Sequence, residues 1–581
     1  MFPHCSQEIK QLTYSTNAAP ANGRRKPATV EVEKLANFGN EVELGAIYTR
    51  PEVAEFILDL VGYTADAPLL TYRILEPSFG AGGFLRPIVR RLLASARLEP
   101  DGLTVKRLAP AISAVELYKT AYSSTCDEIV SVLQGEGISS QDASTIVSSW
   151  LRQGDFLLLE FADDYTHIVG NPPYVRQDQI PDSLIAEYRS RYSTIYDRAD
   201  LYVPFIERSL DLLQKEGKCG FICADRWMKN KYGQKLREKV ANNFSLDVYI
   251  DMTNTNAFLS EVSAYPAITV LRRGKPGATR VAANPDLDKT SLAKLCADLT
   301  LTGISAATPS AGARKGYKAN EPWLLSADHD LTVVRRIEAN FPQIEAAGCR
   351  IGIGVATGAD QAFIGAYDAI NVEPSRKLRL VMTKDLFNGS ISWRGYGVVN
   401  PFGEDGKLVN LSDFPKLAEY LYERSETLRK RHVAAKNPNS WYRTIDRIYS
   451  DLYVREKLLI PDIRGTAEFV HEAGHYYPHH NLYYIVSETW DLHALRALLQ
   501  CGIAKMFVSL YSTKMRGGYL RFQAQNLRRI RLPAWHDIPM DLQQLLTNEG
   551  KKPTSSSRTL DAVSSIYQLT KDEVTTLRKF I

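Results

Sequence analysis

The sequence lacks three features that would narrow its class at once: paired cysteines, a long apolar run and a strong net charge. Its seven cysteines include no Cys-x-x-Cys pair, which favours reduced thiols in a cytoplasm. No run approaches about 20 apolar residues, and the first forty residues lack the apolar core of a secretion signal. We therefore expect no membrane span. The net charge of +5 permits nucleic-acid binding without requiring it.

The most informative stretch is the tetrapeptide Asn171-Pro172-Pro173-Tyr174, which follows a predicted buried strand over residues 165–170. Its chemistry suits methyl transfer to an amino group whose lone pair is delocalised into a ring or carbonyl. Such a nitrogen needs two acceptors for its hydrogens, and the Asn171 side chain and the Pro172 backbone carbonyl can be those acceptors. The prolines stiffen the loop before a substrate arrives, and Tyr174 offers a flat face to a planar base. The alternative is a proline-rich turn without chemistry.

A glycine-rich turn upstream predicts a ligand site of a matching kind. Residues 73–76 predict a strand, residues 77–85 contain Gly80 and Gly82, and a helix is expected to continue to about Ala96. Such a turn lets a ligand approach the backbone closely at a helix N-terminus. Alone it is a weak signal, because many tight turns contain Gly-x-Gly.

Two acidic residues further along strengthen this interpretation. Residues 111–115 predict a second strand that ends in Glu116, where a carboxylate is placed to hold ribose hydroxyls. Residues 154–158 then supply Asp155 followed by Phe156. Separately, Glu116 could be a surface charge and Phe156 a core residue. Their order ahead of the tetrapeptide favours one combined site.

These stretches, together with residues 45–51, resemble the class I S-adenosylmethionine-dependent DNA adenine methyltransferases of the gamma motif order, that is, TaqI-like or Eco57I-type modification methylases. The resemblance covers roughly residues 40–275 and implies S-adenosyl-L-methionine as the cofactor. It implies cofactor contacts from Thr49 at the methionine carboxylate, Glu76 at the methionine amino group, a loop with Pro77, Gly80, Gly82 and Phe84, Glu116 at the ribose, and Asp155 and Phe156 at the adenine. It assigns the target base to Asn171, Pro172, Pro173 and Tyr174, with Phe258 stacking on the base and Tyr265 as its alternative.

The domain organisation follows from alternating strand and helix patterns between about residues 50 and 275. They predict an α/β fold with a doubly wound, mostly parallel sheet. In the family's strand order, the strand before the glycine loop and the strand before the tetrapeptide are neighbours. The order of strands in the sheet reverses between them, and ligands of open α/β sheets bind at such a point. The expected divisions are a loose arm (1–40), a catalytic domain (41–275), a linker-rich segment (276–322), a mixed α+β target-recognition domain (323–540) and a helical tail (541–581).

Two stretches of the expected recognition domain carry further chemistry. Residues 514–531 contain six basic residues and no acidic one, with aromatic residues interleaved, which suits DNA contact; the alternative is a solvated basic face. Residues 471–475 fit the zinc pattern His-Glu-x-x-His, but their glycine and flanking residues favour a hairpin turn over the required helix. We therefore expect no metal ion. The candidates for DNA contact are Arg516, Tyr519, Arg521 and Arg528, with His475, His479 and His480 as further possibilities.

The resemblance implies a site-specific DNA methyltransferase that modifies the N6 amino group of adenine after base flipping, within a restriction–modification or other defence system. Open alternatives are an RNA base, a protein glutamine amide or a cytosine amino group as the target, or a DNA-binding modification subunit of a larger complex. The expected partners are double-stranded DNA and a separate cognate restriction endonuclease, because no nuclease carboxylate set is found. The chain is expected to act as a monomer in a bacterial or archaeal cytoplasm.

Overall fold

The computed structural model describes residues 27–37, 47–162, 164–260, 266–300, 312–314, 321–325, 330–512, 519–552 and 556–581. The chain divides into two compact units, Met1–Ala327 and Asp328–Ile581.

The first unit alternates strands and helices along the chain. Its helices are α1 (Pro27–Ala36), α2 (Pro51–Val61), α3 (Leu85–Ala96), α4 (Val105–Leu108), α5 (Lys119–Gly135), α6 (Ser140–Trp150), α7 (Asp182–Arg191), α8 (Tyr202–Leu212), α9 (Arg226–Lys229), α10 (Gln234–Asn243) and α11 (Lys289–Thr300). Its strands are β1 (Ile74–Glu76), β2 (Ile112–Glu116), β3 (Leu151–Gln153), β4 (Tyr165–Gly170), β5 (Leu213–Ala224), β6 (Phe244–Asp251), β7 (Pro266–Arg273), β8 (Thr279–Ala283) and β9 (Gly312–Arg314).

Within the described part of the first unit, these nine strands form one sheet in the order β3-β2-β1-β4-β5-β7-β6-β8-β9. The strands from β3 to β5 run parallel, whereas β7 runs antiparallel to both β5 and β6. The expected α/β fold with a mostly parallel sheet is confirmed. Strands β1 and β4 are neighbours, and the order of the strands reverses between them, as the family's topology predicts.

Helices cover both faces of this sheet, and strands β1, β2, β4, β5, β6 and β7 bury side chains on both sides. One core contains residues of α2, α3, α5 and α6, and the other contains residues of α1, α7, α8 and α10. The approach of α2 to the sheet requires a glycine: a Cβ atom at Gly220 would lie 2.6 Å from Val61 and 3.0 Å from Ile57. Full burial of an aliphatic side chain such as Ile57 contributes about 1.5–3 kcal/mol.

Two expected irregular segments contain regular structure. The linker-rich segment 276–322 includes β8, which pairs in parallel with β6, and α11, which packs on α2. The expected loose arm 1–40 includes α1, which packs on α7 and buries Ala28 and Val32. In both places composition alone predicts at least some irregular chain, although short apolar spacings within these segments suffice for one helix or strand.

The second unit mixes helices with short strands. Its helices are α12 (Asp330–Asn340), α13 (Asp360–Phe363), α14 (Pro415–Glu423), α15 (Ser425–Arg429), α16 (His432–Lys436), α17 (Ser450–Val454), α18 (Leu492–Leu498), α19 (Ala504–Tyr511), α20 (Ala524–Leu527), α21 (Met540–Gly550), α22 (Ser557–Ile566) and α23 (Lys571–Arg578). Its strands are β10 (Cys349–Ile353), β11 (Ile364–Ala366), β12 (Lys377–Val381), β13 (Leu386–Phe387), β14 (Ser390–Ile391), β15 (Tyr396–Val399), β16 (Lys457–Pro461), β17 (Ile463–Arg464), β18 (Val470–Glu472), β19 (Tyr477–Pro478), β20 (Leu482–Ser487) and β21 (Leu520–Arg521). Two four-stranded sheets, β10-β20-β16-β18 and β11-β15-β12-β19, organise the described residues of this unit.

The helical stretch Leu492–Tyr511 is long and apolar enough to cross a membrane by length and composition alone. However, 78% of its apolar window is buried inside the protein, and Gly502 (φ +86°) kinks it between α18 and α19. Burial of this kind is typical of a core helix in a folded domain.

Candidate active site

Two loops meet at the carboxyl edge of the first unit's sheet, one after β1 and one after β4. Because β1 and β4 pair in parallel, both loops leave the sheet on the same side. The Ser78 hydroxyl donates a hydrogen bond to the Asn171 backbone carbonyl at 3.2 Å, which ties the loops together. A cavity between them is lined by predicted site residues, namely Thr49, Glu76, Pro77, Gly80, Phe84, Glu116, Asp155, Phe156, Asn171, Pro172 and Pro173.

The Asn171 side chain is oriented by its amide nitrogen. Nδ2 donates to the Ile47 carbonyl at 2.8 Å and contacts the Thr49 hydroxyl at 3.3 Å. The Oδ1 atom is buried and has no hydrogen-bond partner among the described residues. An unpaired buried acceptor costs about 1–3 kcal/mol. A fixed acceptor with this property is suited to a ligand that brings its own donor.

Two aromatic rings lie beside this loop rather than on the lining of the cavity. Tyr174 and Phe258 have ring centroids 6.4 Å apart, with their planes at 82°. Phe258 is held there by a β-bridge to Thr49, and the adjacent Leu259 N–H donates to the Tyr48 carbonyl at 2.9 Å. The structure thus brings Phe258 to the tetrapeptide, as the sequence predicts. Tyr265, the alternative, lies outside the described residues.

The glycine loop adopts the conformation its sequence suggests. Gly80 and Gly82 have φ values of +51° and +76°, a region that disfavours other residues. The Gly80 N–H donates to Glu116 Oε2 at 2.8 Å, and Glu116 Oε1 accepts from the Tyr118 N–H at 2.8 Å. The Glu116 carboxylate therefore joins the end of β2 to the glycine loop. Gly82 supports the loop without lining the cavity.

A second carboxyl group, that of Glu76, is buried at the end of β1. Its Oε2 atom has no hydrogen-bond partner among the residues described. Burial raises the pKa of Glu76 well above its usual value, and the nearby negative charge of Glu116 raises it further. A buried carboxyl group of this kind gains most from a cationic ligand, which would favour its ionised form.

A third carboxyl group, that of Asp155, follows β3 and has partners on both oxygens. Oδ1 accepts from the Leu157 N–H at 2.8 Å, and Oδ2 accepts from the Tyr188 hydroxyl at 2.5 Å. Burial raises the pKa of Asp155, whereas the Tyr188 hydrogen bond acts in the opposite direction. Sequence reasoning missed Tyr188, because it lies 33 residues away on a helix without a motif.

The ring of Phe156 lies next to this carboxyl group and is almost fully buried. It packs against Phe161 and Phe205 at centroid distances of 5.6 and 5.1 Å, and the Arg208 guanidinium lies 5.1 Å from its centroid. Phe156 thus belongs to the core and also lines the cavity, so the two sequence interpretations are compatible.

In the second unit, the arginines proposed to contact DNA have protein partners. Arg521 forms an ion pair with Asp462. Arg528 donates to Glu345 at 2.9 Å and to the Ile351 carbonyl at 3.0 Å. Carboxylates distant in sequence therefore pair with these two arginines of the basic stretch. Tyr519 is half exposed. Arg516 lies outside the described residues.

The His-Glu-x-x-His stretch is not helical. His471 and Glu472 lie in β18, and Gly474 turns the chain with φ +95°. Glu472 is buried in an ion pair with Lys457, so it is not free to act as a general base. Among the described residues, imidazoles meet carboxylates in two groups, each within 4.8 Å: Asp360, His479 and His480, and Glu456, His471 and His493. Neither group contains both histidines of the motif.

The sheet order, with its two ligand-facing loops at the reversal point, defines a class I methyltransferase fold. Residues 85–258 match the model of the Eco57I restriction-modification methylase family. The chain is 52% identical over 528 residues to the Type II methyltransferase M.PaeR7I of Pseudomonas aeruginosa, covering 90% of this chain and 92% of that protein. It is 49% identical over 510 residues to the Type II methyltransferase M.XhoI of Xanthomonas vasicola, covering 87% and 93%. The chain belongs to this family of Type II methyltransferases.

A solved structure is similar in fold over nearly the whole chain. The Type IIL restriction-modification enzyme MmeI, determined in complex with DNA, gives a TM-score of 0.53 at 11% sequence identity, covering 95% of this chain and 78% of that one. At this identity the similarity concerns the fold alone.

Proposed function

We propose that this protein transfers a methyl group from S-adenosyl-L-methionine to the N6 amino group of an adenine within a specific DNA sequence. The observation that carries the proposal is the Asn171 Oδ1 atom, a buried acceptor without a partner among the described residues. It belongs to an Asn-Pro-Pro-Tyr loop beside a cavity that contains three carboxyl groups. Family membership agrees, since the relatives that match most of the chain are Type II methyltransferases.

The three carboxyl groups that line the cavity suit different chemical groups of the cofactor. The unpartnered Glu76 oxygen suits the methionine ammonium group, and Glu116 can accept from ribose hydroxyls while it holds the glycine loop. Asp155 can accept from the adenine amino group, with the Phe156 ring beside it. When bound, S-adenosylmethionine supplies the methyl group on a sulfonium centre.

The tetrapeptide would prepare the target nitrogen. Asn171 Oδ1 would accept one hydrogen of the amino group, and the Pro172 carbonyl would accept the other. These contacts would draw the lone pair out of conjugation and so make the nitrogen a better nucleophile toward the methyl group that a bound cofactor would supply. Tyr174 and Phe258 would hold the planar ring after the base leaves the duplex.

The proposal extends to partners. We assign sequence selection to the second unit and restriction to a separate endonuclease in the cytoplasm, with the methyltransferase acting as a monomer. Two comparisons support a separate nuclease. RM.Eco57I, which is named as both a restriction enzyme and a methyltransferase, matches only 16% of this chain. The relatives that match most of the chain are named as methyltransferases alone.

The decisive experiment is modified-base sequencing of DNA from a host that lacks other DNA methyltransferases and expresses this chain. N6-methyladenine at one position of one recurring sequence is the expected result. Methylated cytosine, or unmodified DNA together with newly methylated ribosomal RNA or protein glutamine, would establish an alternative target instead. A host that expresses the Asn171→Ala variant is the control.

A further inference from the structure

We propose that Tyr188 is a positioning residue: its hydroxyl holds Asp155 as an acceptor, so that the cavity selects a cofactor base with a 6-amino group over one with a 6-oxo group. This inference rests on the proposed S-adenosylmethionine site and goes beyond it, because the loop motifs of the sequence do not include α7.

Tyr188 lies on α7, and its hydroxyl reaches the Asp155 carboxyl group at the lining of the cavity. Its ring is buried, with 4% of its surface exposed, and both Tyr188 and Asp155 line the cavity. The 2.5 Å hydrogen bond to Oδ2 and the Leu157 N–H at Oδ1 fix the plane of the carboxylate. An ionised carboxylate offers about four acceptor positions, so positions remain for a ligand.

Tyr192, the residue that follows α7, contacts the same loop at a second point. The Tyr192 hydroxyl donates to the Leu157 carbonyl at 2.6 Å and accepts from Arg208 at 2.8 Å. Tyr192 therefore binds the backbone of the loop, whereas Tyr188 binds the Asp155 side chain. The chain thus contains a natural control, a second buried phenol just after α7 that makes no hydrogen bond to the carboxylate.

The ionisation of Asp155 decides which base it can recognise. An ionised carboxylate only accepts, which matches an amino group; a protonated one can also donate, which matches a carbonyl oxygen. Burial raises the pKa of Asp155, and the opposing groups are Tyr188, the Leu157 N–H, Arg208 and Arg191. Burial also raises the pKa of Tyr188, so its hydroxyl remains a donor. Removing this donor should therefore favour the protonated carboxyl group.

The test compares Tyr188→Phe with Tyr192→Phe in the full chain. Calorimetry would measure binding of S-adenosylhomocysteine and of its 6-oxo analogue, S-inosylhomocysteine, between pH 5.5 and 8.5. We expect Tyr188→Phe to weaken binding of the 6-amino ligand about tenfold, because the carboxylate loses a charge-assisted hydrogen bond that fixes its plane and favours its ionised form. Binding of the 6-oxo ligand should change less, so the ratio of 6-amino to 6-oxo affinity should fall. The loss of 6-amino affinity toward low pH should also begin at a higher pH than in wild type.

Tyr192→Phe should keep the wild-type preference and pH profile. An equal effect of Tyr188→Phe on both ligands, or no effect, would overturn the assignment and leave the cofactor site standing. If wild type binds neither ligand, the proposed cofactor site itself is wrong, and the role of Tyr188 is refuted with it. Should Tyr188→Phe unfold, Asp155→Asn provides the second reading: its side chain does not ionise, so the acid-dependent loss of 6-amino binding should disappear.

Discussion

Asn171→Ala tests the proposed chemistry most directly. The substitution removes the buried Oδ1 acceptor and also the Nδ2 donor to the Ile47 carbonyl. Losing one preorganised contact to the reacting group costs about 10²–10³ in rate, or about 2.7–4 kcal/mol in the barrier. Losing the donor costs about 1–3 kcal/mol in the free energy of unfolding, because the Ile47 carbonyl loses this partner; removing the unpaired Oδ1 atom offsets part of that cost. We therefore expect a folded, somewhat less stable protein with a greatly reduced methyl-transfer rate.

The assay should separate chemistry from binding. Single-turnover transfer of a labelled methyl group to a duplex containing the recognition sequence, with saturating cofactor, reports the chemical step. Calorimetry with S-adenosylhomocysteine should show affinity close to wild type, because the carboxyl groups assigned to the cofactor are unchanged. Thermal unfolding measures the stability cost separately.

Asn171→Asp is the matched control for this experiment. It keeps an acceptor oxygen at the same distance along the side chain but loses the donor to Ile47. If the lost acceptor causes the defect, Asn171→Asp should retain more activity than Asn171→Ala at a similar loss of stability. A near wild-type rate for Asn171→Ala, or an equal loss in both variants, would refute the acceptor mechanism.

Three further expectations follow from the site and from the second unit. Glu116→Ala and Asp155→Ala should each weaken cofactor binding in calorimetry without changing the DNA sequence that is methylated; unchanged affinity in both would show that the pocket is misplaced. Cofactor affinity should rise with pH through the raised pKa of Glu76, because an ammonium group favours the ionised carboxylate; binding should release a proton, seen as a buffer-dependent heat that Glu76→Gln abolishes. If Arg521 contacts a phosphate, neutralising it should weaken binding to all DNA sequences and reduce the slope of log affinity against log salt concentration by about 0.9. If Arg528 contacts a base, neutralising it should reduce the discrimination at one base position by about 1–3 kcal/mol. Binding isotherms on matched duplexes at several salt concentrations distinguish these outcomes from purely structural roles.

The sequence predicted the fold and both loops of the site because these features are local. A strand that ends in a glycine turn, and one that ends in Asn-Pro-Pro-Tyr, carry their signals within a few neighbouring residues. The parallel pairing of β1 and β4 then brings the loops together, and the family's strand order was enough to anticipate it. The placement of Phe258 beside Tyr174 was likewise anticipated from its motif.

Contacts between distant segments could not be predicted in this way. The Ile47 carbonyl that orients Asn171 lies 124 residues away, and Glu345 lies 183 residues from Arg528. A basic run therefore appeared uncompensated in the sequence, although the fold supplies carboxylates to it. Composition also misled: β8 and α11 lie in a stretch rich in small residues, and tertiary packing overrides such weak local preferences.

The buried polar groups of the first unit show why its loops and its helices must act together. Glu76 and Asn171 line the cavity, and each has a buried oxygen without a hydrogen-bond partner among the described residues, a cost that an apolar residue would avoid. Such a cost is understandable where a ligand supplies the missing donor, and each oxygen suits a different one, a cation and an amino group. Asp155 differs, because Tyr188 and Leu157 already satisfy it. The Asp155 carboxyl group is therefore held in place before binding, and we assign it the selection of the ligand's base. The two oxygens without partners among the described residues would instead gain new hydrogen bonds when a ligand binds.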